Sequence, residues 1–260
     1  MRSPRPYVLT IAGFDPSGGA GVLADCKTFE QQGVYGFGVC TALTVQTDDS
    51  FLNLHWLPAE QIIEQLQPLI SKFEIVACKI GIINSPETLI EVIRFLKEHN
   101  PAMQIVWDPV LKASAGYDFH SVDTFHSLEA ILATVTLVTP NYNELQRLQS
   151  ITKEELIKEE KAGFCSVLLK GGHRPDAIGT DTLYEPAGYT IINAGVSDAF
   201  PKHGSGCVLA AAITAQLAKG RSLKEACLSA KQYVETFLNS NQSLLGYHTI
   251  NSKSQIPRSK

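Results

Sequence analysis

Short apolar, β-branched runs alternate with longer amphipathic ones along most of this chain. Tyr7-Val8-Leu9-Thr10-Ile11-Ala12 reads as a buried strand ending at Gly13. The loop from Phe14 to Gly21 opens a helix to about Gln32, with Gly33 as the residue that closes it. Gly36 to Gln46 is small, apolar and β-branched before turning polar at Thr47, and Phe51 to Leu57 alternates as an edge strand does. Pro58 at the first helical position starts a helix with Ile62, Ile63, Leu66, Leu69 and Ile70 on its inner face. Ile75 to Ile80 and Gln104 to Trp107 are further strands. Between them Ser85-Pro86-Glu87 is a helix start, with cap, first-turn proline and first-turn acid in order.

The second half keeps the rhythm. Leu137-Val138-Thr139 reads as a strand, and Pro140 to Glu144 leads into a helix. Thr152-Lys153-Glu154-Glu155 is a capping-box pattern for a surface helix. Ser166 to Leu169 is a strand, and Asp181–Glu185 with Tyr189–Asn193 form an antiparallel pair turned at Pro186-Ala187-Gly188. An Ala-rich, almost uncharged run follows Gly204-Ser205-Gly206 and predicts a buried helix to near Gly220. Ser222-Leu223-Lys224-Glu225 caps a last helix to about Asn239. The expected fold is α/β: a mostly parallel central sheet with helices on both faces and one small antiparallel excursion. No break divides residues 1–260 into domains, and the ends at about 1–6 and 246–260 read as loose.

Composition narrows the class. At 260 residues, with 44% hydrophobic and 18% charged residues, the chain can bury a sizeable core. A net charge of −4 argues against nucleic acid as a partner, and no apolar run is long enough for a membrane span. The proline-broken start Met1-Arg2-Ser3-Pro4-Arg5-Pro6 is not a signal peptide. Six cysteines without a C-x-x-C pair suggest reduced thiols in the cytoplasm.

Chemistry collects at strand ends, where parallel sheets place their ligands. Gln46 is a bidentate amide suited to a flat heterocycle, although a glutamine capping a strand end is the commoner reading. Asp108 ends one strand. Asn141 and Glu144, three apart, can share a helical face and hold magnesium directly or through water. Lys170, followed by two glycines, lets a cation and close backbone approach one phosphate. His203-Gly204-Ser205-Gly206-Cys207 aims free backbone N–H groups at one point and makes an anion site. The same dipole would lower the Cys207 pKa and favour a thiolate, while a buried small thiol is the plainer alternative. Lys112 to His120 is long enough to close over the site. Gly19-Ala20-Gly21-Val22-Leu23-Ala24 fits the dinucleotide pattern G-x-G-x-x-A. The acid that should read the ribose about 20 residues on is missing, and Asp48 and Asp49 come late. Anion hole, carboxylates and lysine together suit phosphoryl transfer.

Taken in order, these blocks resemble the hydroxymethylpyrimidine/phosphomethylpyrimidine kinases of thiamine biosynthesis, within the ribokinase-like superfamily. The resemblance runs from about Tyr7 to about Asn239. It is carried by Thr10-Ile11-Ala12-Gly13, Asp15-Pro16-Ser17-Gly18-Gly19-Ala20-Gly21, Ala24-Asp25, Lys79-Ile80-Gly81, Asp108-Pro109-Val110, Thr139-Pro140-Asn141 with Glu144, Lys170-Gly171-Gly172-His173 and His203 to Cys207. It implies ATP- and magnesium-dependent phosphorylation of a hydroxymethyl aminopyrimidine and then of its monophosphate, by an enzyme that is often a homodimer. It puts Gln46, Gly13, Asp25, Ile82 and Val110 at the substrate, and Asn141, Lys170 and His203 towards the nucleotide. Asp108 and Glu144 fall on the metal side, Gly204, Ser205 and Gly206 at the anion hole, and Cys207 where sugar kinases carry an aspartate base.

The chain departs from the family pattern at three places: Gln46-Thr47 stands for the usual glutamine-asparagine, Ile82 for methionine, and Ser205 for threonine. Serine keeps the hydroxyl, whereas the other two departures touch the pocket. The nearest rival is a pyridoxine/pyridoxal kinase, since related kinases share G-x-G-C and an aldehyde could add to Cys207. An oxidoreductase lacks its ribose acid, and a non-catalytic vitamin-binding module would not need Asp108, Glu144, Lys170 and Cys207 together.

Overall fold

The computed structural model describes residues 5–111, 128–152, 156–158, 161–162, 164–173, 178–196 and 198–249. In chain order the elements are β1 Tyr7–Phe14, α1 Gly21–Gln31, β2 Tyr35–Gln46, β3 Phe51–Trp56, α2 Ala59–Lys72, β4 Ile75–Ile80, α3 Pro86–His99 and β5 Gln104–Trp107. They continue with α4 Leu128–Leu132, β6 Leu137–Val138, α5 Tyr142–Thr152, β7 Ile157–Lys158, β8 Lys161–Ala162, β9 Ser166–Leu169, β10 Asp181–Glu185, β11 Gly188–Ile192, α6 Ser205–Ala218 and α7 Leu223–Leu238.

Nine strands form one sheet in the order β11-β10-β9-β6-β5-β4-β1-β2-β3. The six from β2 to β9 run parallel. The expected antiparallel excursion is real, but it is not alone. β3 pairs antiparallel with β2 at one edge, and β10 with β11 extends the other. The sheet is thus parallel in its middle, where helices cover both faces, and antiparallel at both margins, where a hairpin needs no crossover helix.

One face is built around α6. Ten successive residues from Val208 to Leu217 are buried, as an apolar helix without a polar side demands. It crosses β1, β4 and β5 between α1 and α7. Val208, Leu209, Ile213 and Leu217 there each contribute about 1.5–3 kcal/mol by burial. On the other face Leu66 of α2 and Leu89, Val92 and Leu96 of α3 close a second core over Leu9, Ile80 and Ile105.

Local signals were read well where they are chemical. Ser85 accepts from the Thr88 N–H with Pro86 in the first turn, Ser222 and Glu225 form the full capping box, and Gly33 has φ +71° just past α1. Pro58 caps α2 one position before its first residue. The surface helix expected from Thr152 is not the observed path. Thr152 ends α5, Lys153 to Glu155 lie outside the described residues, and Ile157–Lys158 pairs with Lys161–Ala162 as a short antiparallel ribbon. The Lys112–His120 loop also lies outside the described residues.

Of the two ends, only residues 5–6 and 246–249 are described, and these make contacts. Arg5 pairs with Glu30 at 2.6 Å, and the Tyr35 N–H donates to the Pro6 carbonyl. After α7, residues 241–248 fold back as a strap. The His203 N–H donates to the Leu244 carbonyl at 2.9 Å, Gly246 lies flat on the Phe237 ring, and the His248 ring sits between Tyr233 and Phe237. Burial, aided by the charge of Lys27, depresses the His248 pKa to about 4. A histidine kept neutral by folding contributes stability above its unfolded pKa of about 6.5, and that contribution is lost as pH falls towards 4. His248→Gln should therefore flatten the fall in melting temperature between pH 7 and pH 4.5. Melting curves of equal pH dependence in both proteins would contradict this.

Candidate active site

The C-terminal ends of the parallel strands and the N-termini of α1 and α6 border one cleft of about 580 Å³. Two glycines make the junction possible. Gly204 precedes α6 with φ +72°, and a Cβ there would lie 2.1 Å from the Gly19 carbonyl oxygen. Gly21 opens α1 with φ +58°, where a Cβ would lie 2.1 Å from the Gly13 carbonyl oxygen. No side chain fits at either place. Gly204 thus packs the start of α6 against Gly19 and Ala20 just ahead of α1, while Gly21 packs the start of α1 on the end of β1. In α6 the first intrahelical donor is the Val208 N–H, to the Gly204 carbonyl. The N–H groups of Ser205, Gly206 and Cys207 precede it and are the orphan donors of the helix start. Both helix starts line the cleft at Cys207, through Gly21 of α1 and Gly204 to Cys207 of α6.

Beneath and beside that sulfur runs a row of alternating charge. Lys79 and Asp25 are fully buried, with Nζ 2.7 Å from Oδ2, and the Thr10 hydroxyl donates to the same oxygen. Burial raises the Asp25 pKa. It would lower that of Lys79, but Asp25, Cys207 and Asp108 outweigh it and hold the ammonium charged above its usual range. Lys170 lies 2.8 Å from Asp108 and 3.6 Å from Glu144. Against the cost of burial, Lys170 and Lys79 keep Asp108 below the usual carboxylate range, whereas burial wins at Glu144 and raises it. Gly206 faces this group, since a Cβ on it would stand 3.5 Å from Lys170 Nζ.

Cys207 corrects one expectation. The helix dipole should favour a thiolate, yet burial raises the thiol pKa, assisted by Asp25 and Asp108, against the opposing pull of Lys79 and the Gly21 N–H. The resting group is a thiol.

Most residues singled out from the sequence line this cleft: Gly13, Gln46, Ile82 and Val110 at one end, then Asp108, Asn141, Glu144 and Lys170, with His203 and Gly204 to Cys207 along the α6 side. Three placements differ. Asp25 is not at the cleft wall but below it, spent on Lys79 and Thr10. Asn141 and Glu144 do not offer parallel oxygens. The Asn141 Oδ1 accepts from the Glu144 N–H at 2.9 Å and Glu144 Oε2 from the Asn141 N–H at 2.7 Å, a reciprocal cap that starts α5. The His203 ring is held by Asp15 at 2.9 Å, which locks the α6 loop onto the α1 loop rather than leaving the ring free for a nucleotide. Asp15 also accepts from the Ser17 and Ala20 N–H groups. These bonds with His203 bring its pKa below the ordinary range despite burial.

Sequence reading missed Lys79, Asp15, and the pair Asp181 and Lys231 at 3.1 Å in the far end of the cleft. Lys79 had a signal: a lone charge inside the apolar run Ile75 to Ile80 must find a buried partner. Asp181 and Lys231 had none, because 50 residues separate them.

Magnesium can be tested against these residues. Asp108 Oδ2 is buried and finds no hydrogen-bond partner among the described residues. It faces the cleft with Glu144, while no cluster of three or more ligating side chains exists among the described residues. Two carboxylates without a cage fit a cation that keeps water and takes further oxygens from phosphate.

Lys79→Met should destabilise the fold by about 3–5 kcal/mol, because it strands Asp25 in the interior, and the double variant with Asp25→Leu should regain most of the loss. Denaturant titration of the three proteins checks this. A single variant as stable as wild type would remove the buried pair from the account.

The family model described as phosphomethylpyrimidine kinase matches residues 15–251. A hydroxymethylpyrimidine/phosphomethylpyrimidine kinase of Staphylococcus aureus is 35% identical over 90% of this chain and 88% of its own length. The thiamine biosynthesis bifunctional protein of Geobacter sulfurreducens is 35% identical over 93% of the chain, which spans only 51% of that relative. Among solved structures, pyridoxal kinase from Staphylococcus aureus in complex with AMP-PCP and pyridoxal has a TM-score of 0.78 at 28% identity, covering 94% of this chain and 92% of that one. With the converging helix ends and the charged row already in place, the match over almost the whole chain assigns it to the phosphomethylpyrimidine kinase family.

Proposed function

We propose that this enzyme transfers the γ-phosphoryl group of ATP to the hydroxymethyl oxygen of 4-amino-5-hydroxymethyl-2-methylpyrimidine. It then phosphorylates the monophosphate to the diphosphate, in thiamine biosynthesis. The observation that carries this is the meeting of two helix starts, Gly204 lying against Gly19 and Ala20, in one cleft with Cys207, Lys170, Asp108 and Glu144. In the transfer an O–P bond forms at the hydroxymethyl oxygen, the bond from the γ-phosphorus to the bridging oxygen breaks, and ADP leaves with that electron pair. Charge on the passing phosphoryl oxygens is met by the N–H groups of Ser205, Gly206 and Cys207 and by Lys170. Gly13, Ile82, Val110 and Gln46 seat the ring. Asp25 acts from beneath, through Lys79. Asn141 and Lys170 lie towards the nucleotide, and His203 fixes the anion loop through Asp15. Asp108 and Glu144 would hold magnesium, which when bound neutralises phosphate charge.

Because the resting Cys207 is a thiol, its role is to orient the hydroxymethyl oxygen. The proton leaves late in a loose transition state, to phosphate or water. Cys207→Ala should lower kcat about 100-fold while Cys207→Ser retains more activity, and wild-type kcat should be flat from pH 7 to pH 9. A tenfold rise in kcat across that range, absent in the serine variant, would make the thiolate the base instead. Pyridoxal kinase is the second reading, favoured by the fold shared with the Staphylococcus aureus enzyme. Turnover of the pyrimidine, its monophosphate and pyridoxal side by side decides, and turnover of pyridoxal alone would overturn the first reading.

The whole chain serves as one catalytic domain, in the reducing cytoplasm that suits its six free cysteines. It pairs with a second copy through the β2–β3 hairpin, which exposes Leu43, Val45 and Leu52. Light scattering should give twice the 28.3 kDa chain mass, and Leu52→Lys should shift it towards one. A wild-type monomer at assay concentration would contradict the pairing.

A further inference from the structure

We infer that Thr44 sets the substrate preference of this enzyme, by fixing which way the Gln46 amide faces the ring. The inference rests on the pyrimidine-kinase reading above. Thr44 and Gln46 are two apart on β2, so their side chains leave the same face of the strand. The Thr44 hydroxyl is almost fully buried and donates to the Phe14 carbonyl at 2.9 Å. A carbonyl can only accept, so the one hydroxyl hydrogen is committed there. The Thr44 oxygen then has only lone pairs for Gln46, 2.9 Å away, and the group facing it must be the amide NH₂. The opposite orientation would set two acceptors against each other in a site closed on one side.

The chain Gln46 to Thr44 to Phe14 therefore has a direction. It leaves Gln46 with its carbonyl oxygen and its second N–H for the cleft, an acceptor beside a donor. An aminopyrimidine edge offers the complement, an exocyclic amine beside a ring nitrogen, and the two fit by paired hydrogen bonds as glutamine fits the amino edge of adenine. A pyridoxal ring with an ionised hydroxyl presents an acceptor at such an edge. It can take the second N–H, but the Gln46 carbonyl oxygen, held at that edge by the bond to Thr44, is then left without a donor. Sites built on directed hydrogen bonds discriminate strongly because a mismatch leaves buried polar groups unpaired. The plainer role of Thr44, tying β1 to β2, needs the same hydroxyl but carries no consequence for which substrate is chosen.

The test is steady-state kinetics with hydroxymethylpyrimidine and with pyridoxal on wild type, Thr44→Val and Thr44→Ser. Valine keeps the branched shape and suits a strand, and serine keeps the hydroxyl. Thr44→Val should raise KM for the pyrimidine about tenfold with kcat within about twofold, and lower its kcat/KM preference over pyridoxal by a similar factor. Thr44→Ser should restore both. An unchanged preference in an active Thr44→Val enzyme would overturn the inference while leaving the kinase assignment intact, as would a serine variant no better than valine. Wild type that phosphorylates pyridoxal but not the pyrimidine would overturn both. Should Thr44→Val not fold, Gln46→Glu on the half-exposed strand end replaces the donor by a second acceptor. It should raise the pyrimidine KM at least tenfold, and an unchanged KM would again overturn the inference.

Discussion

The close packing of two helix N-termini, Gly204 of one against Gly19 and Ala20 ahead of the other, is the constraint on which the rest of the site depends. Each helix start brings backbone N–H groups that its own turn cannot satisfy, and both open at one point of the cleft beside Cys207. Such a point is unfavourable in a folded interior unless negative charge is near. Asp25 and Asp108 supply it from below, and Lys79 and Lys170 keep those carboxylates from being stranded in turn. The result is a row of three carboxylates and two lysines in alternation, nearly balanced over its length but strongly polarised at each position. An anion entering the cleft meets N–H groups and Lys170 already oriented, so little rearrangement is needed when charge shifts during transfer.

The same packing explains why parts distant in sequence are fastened to the two loops. Asp15 of the first loop holds His203 of the second, and the strap after α7 accepts a hydrogen bond from the His203 backbone. The side chain of Leu245 leaves no room for a Cβ on Gly19. Leu244 and Leu245, just ahead of the stretch expected to be loose, thus brace the anion loops. The G-x-G-x-x-A pattern falls into place here too. Gly21 is required by the Gly13 carbonyl at the end of β1 and Gly19 is crowded by His203, so neither needs a pyrophosphate, which accounts for the absent ribose acid.

Much of this was legible in the sequence where one local rule acts alone. Strand ends carrying Gln46, Asp108 and Lys170, the caps at Ser85 and Ser222, and the buried α6 all follow from periodicity or capping chemistry over a few residues. What the sequence did not show shares a cause, which is that several polar side chains at the site also have protein partners distant in the chain. Asp25 belongs to Lys79, 54 residues on, and His203 to Asp15, 188 residues back. Asn141 and Glu144 satisfy each other's backbone before they face anything else. The thiol of Cys207 follows from the same point, since the helix dipole is a local feature but burial and two neighbouring carboxylates are tertiary ones.

The proposed mechanism depends on where the transferring phosphoryl group sits. The direct measurement is a crystal structure of the protein with ADP, magnesium, aluminium fluoride and hydroxymethylpyrimidine. The planar fluoride should lie at the start of α6, accepting from the N–H groups of Gly206 and Cys207 and from Lys170, with the hydroxymethyl oxygen in line and beside the Cys207 sulfur. A fluoride bound away from both helix ends, or a hydroxymethyl group turned from Cys207, would contradict it.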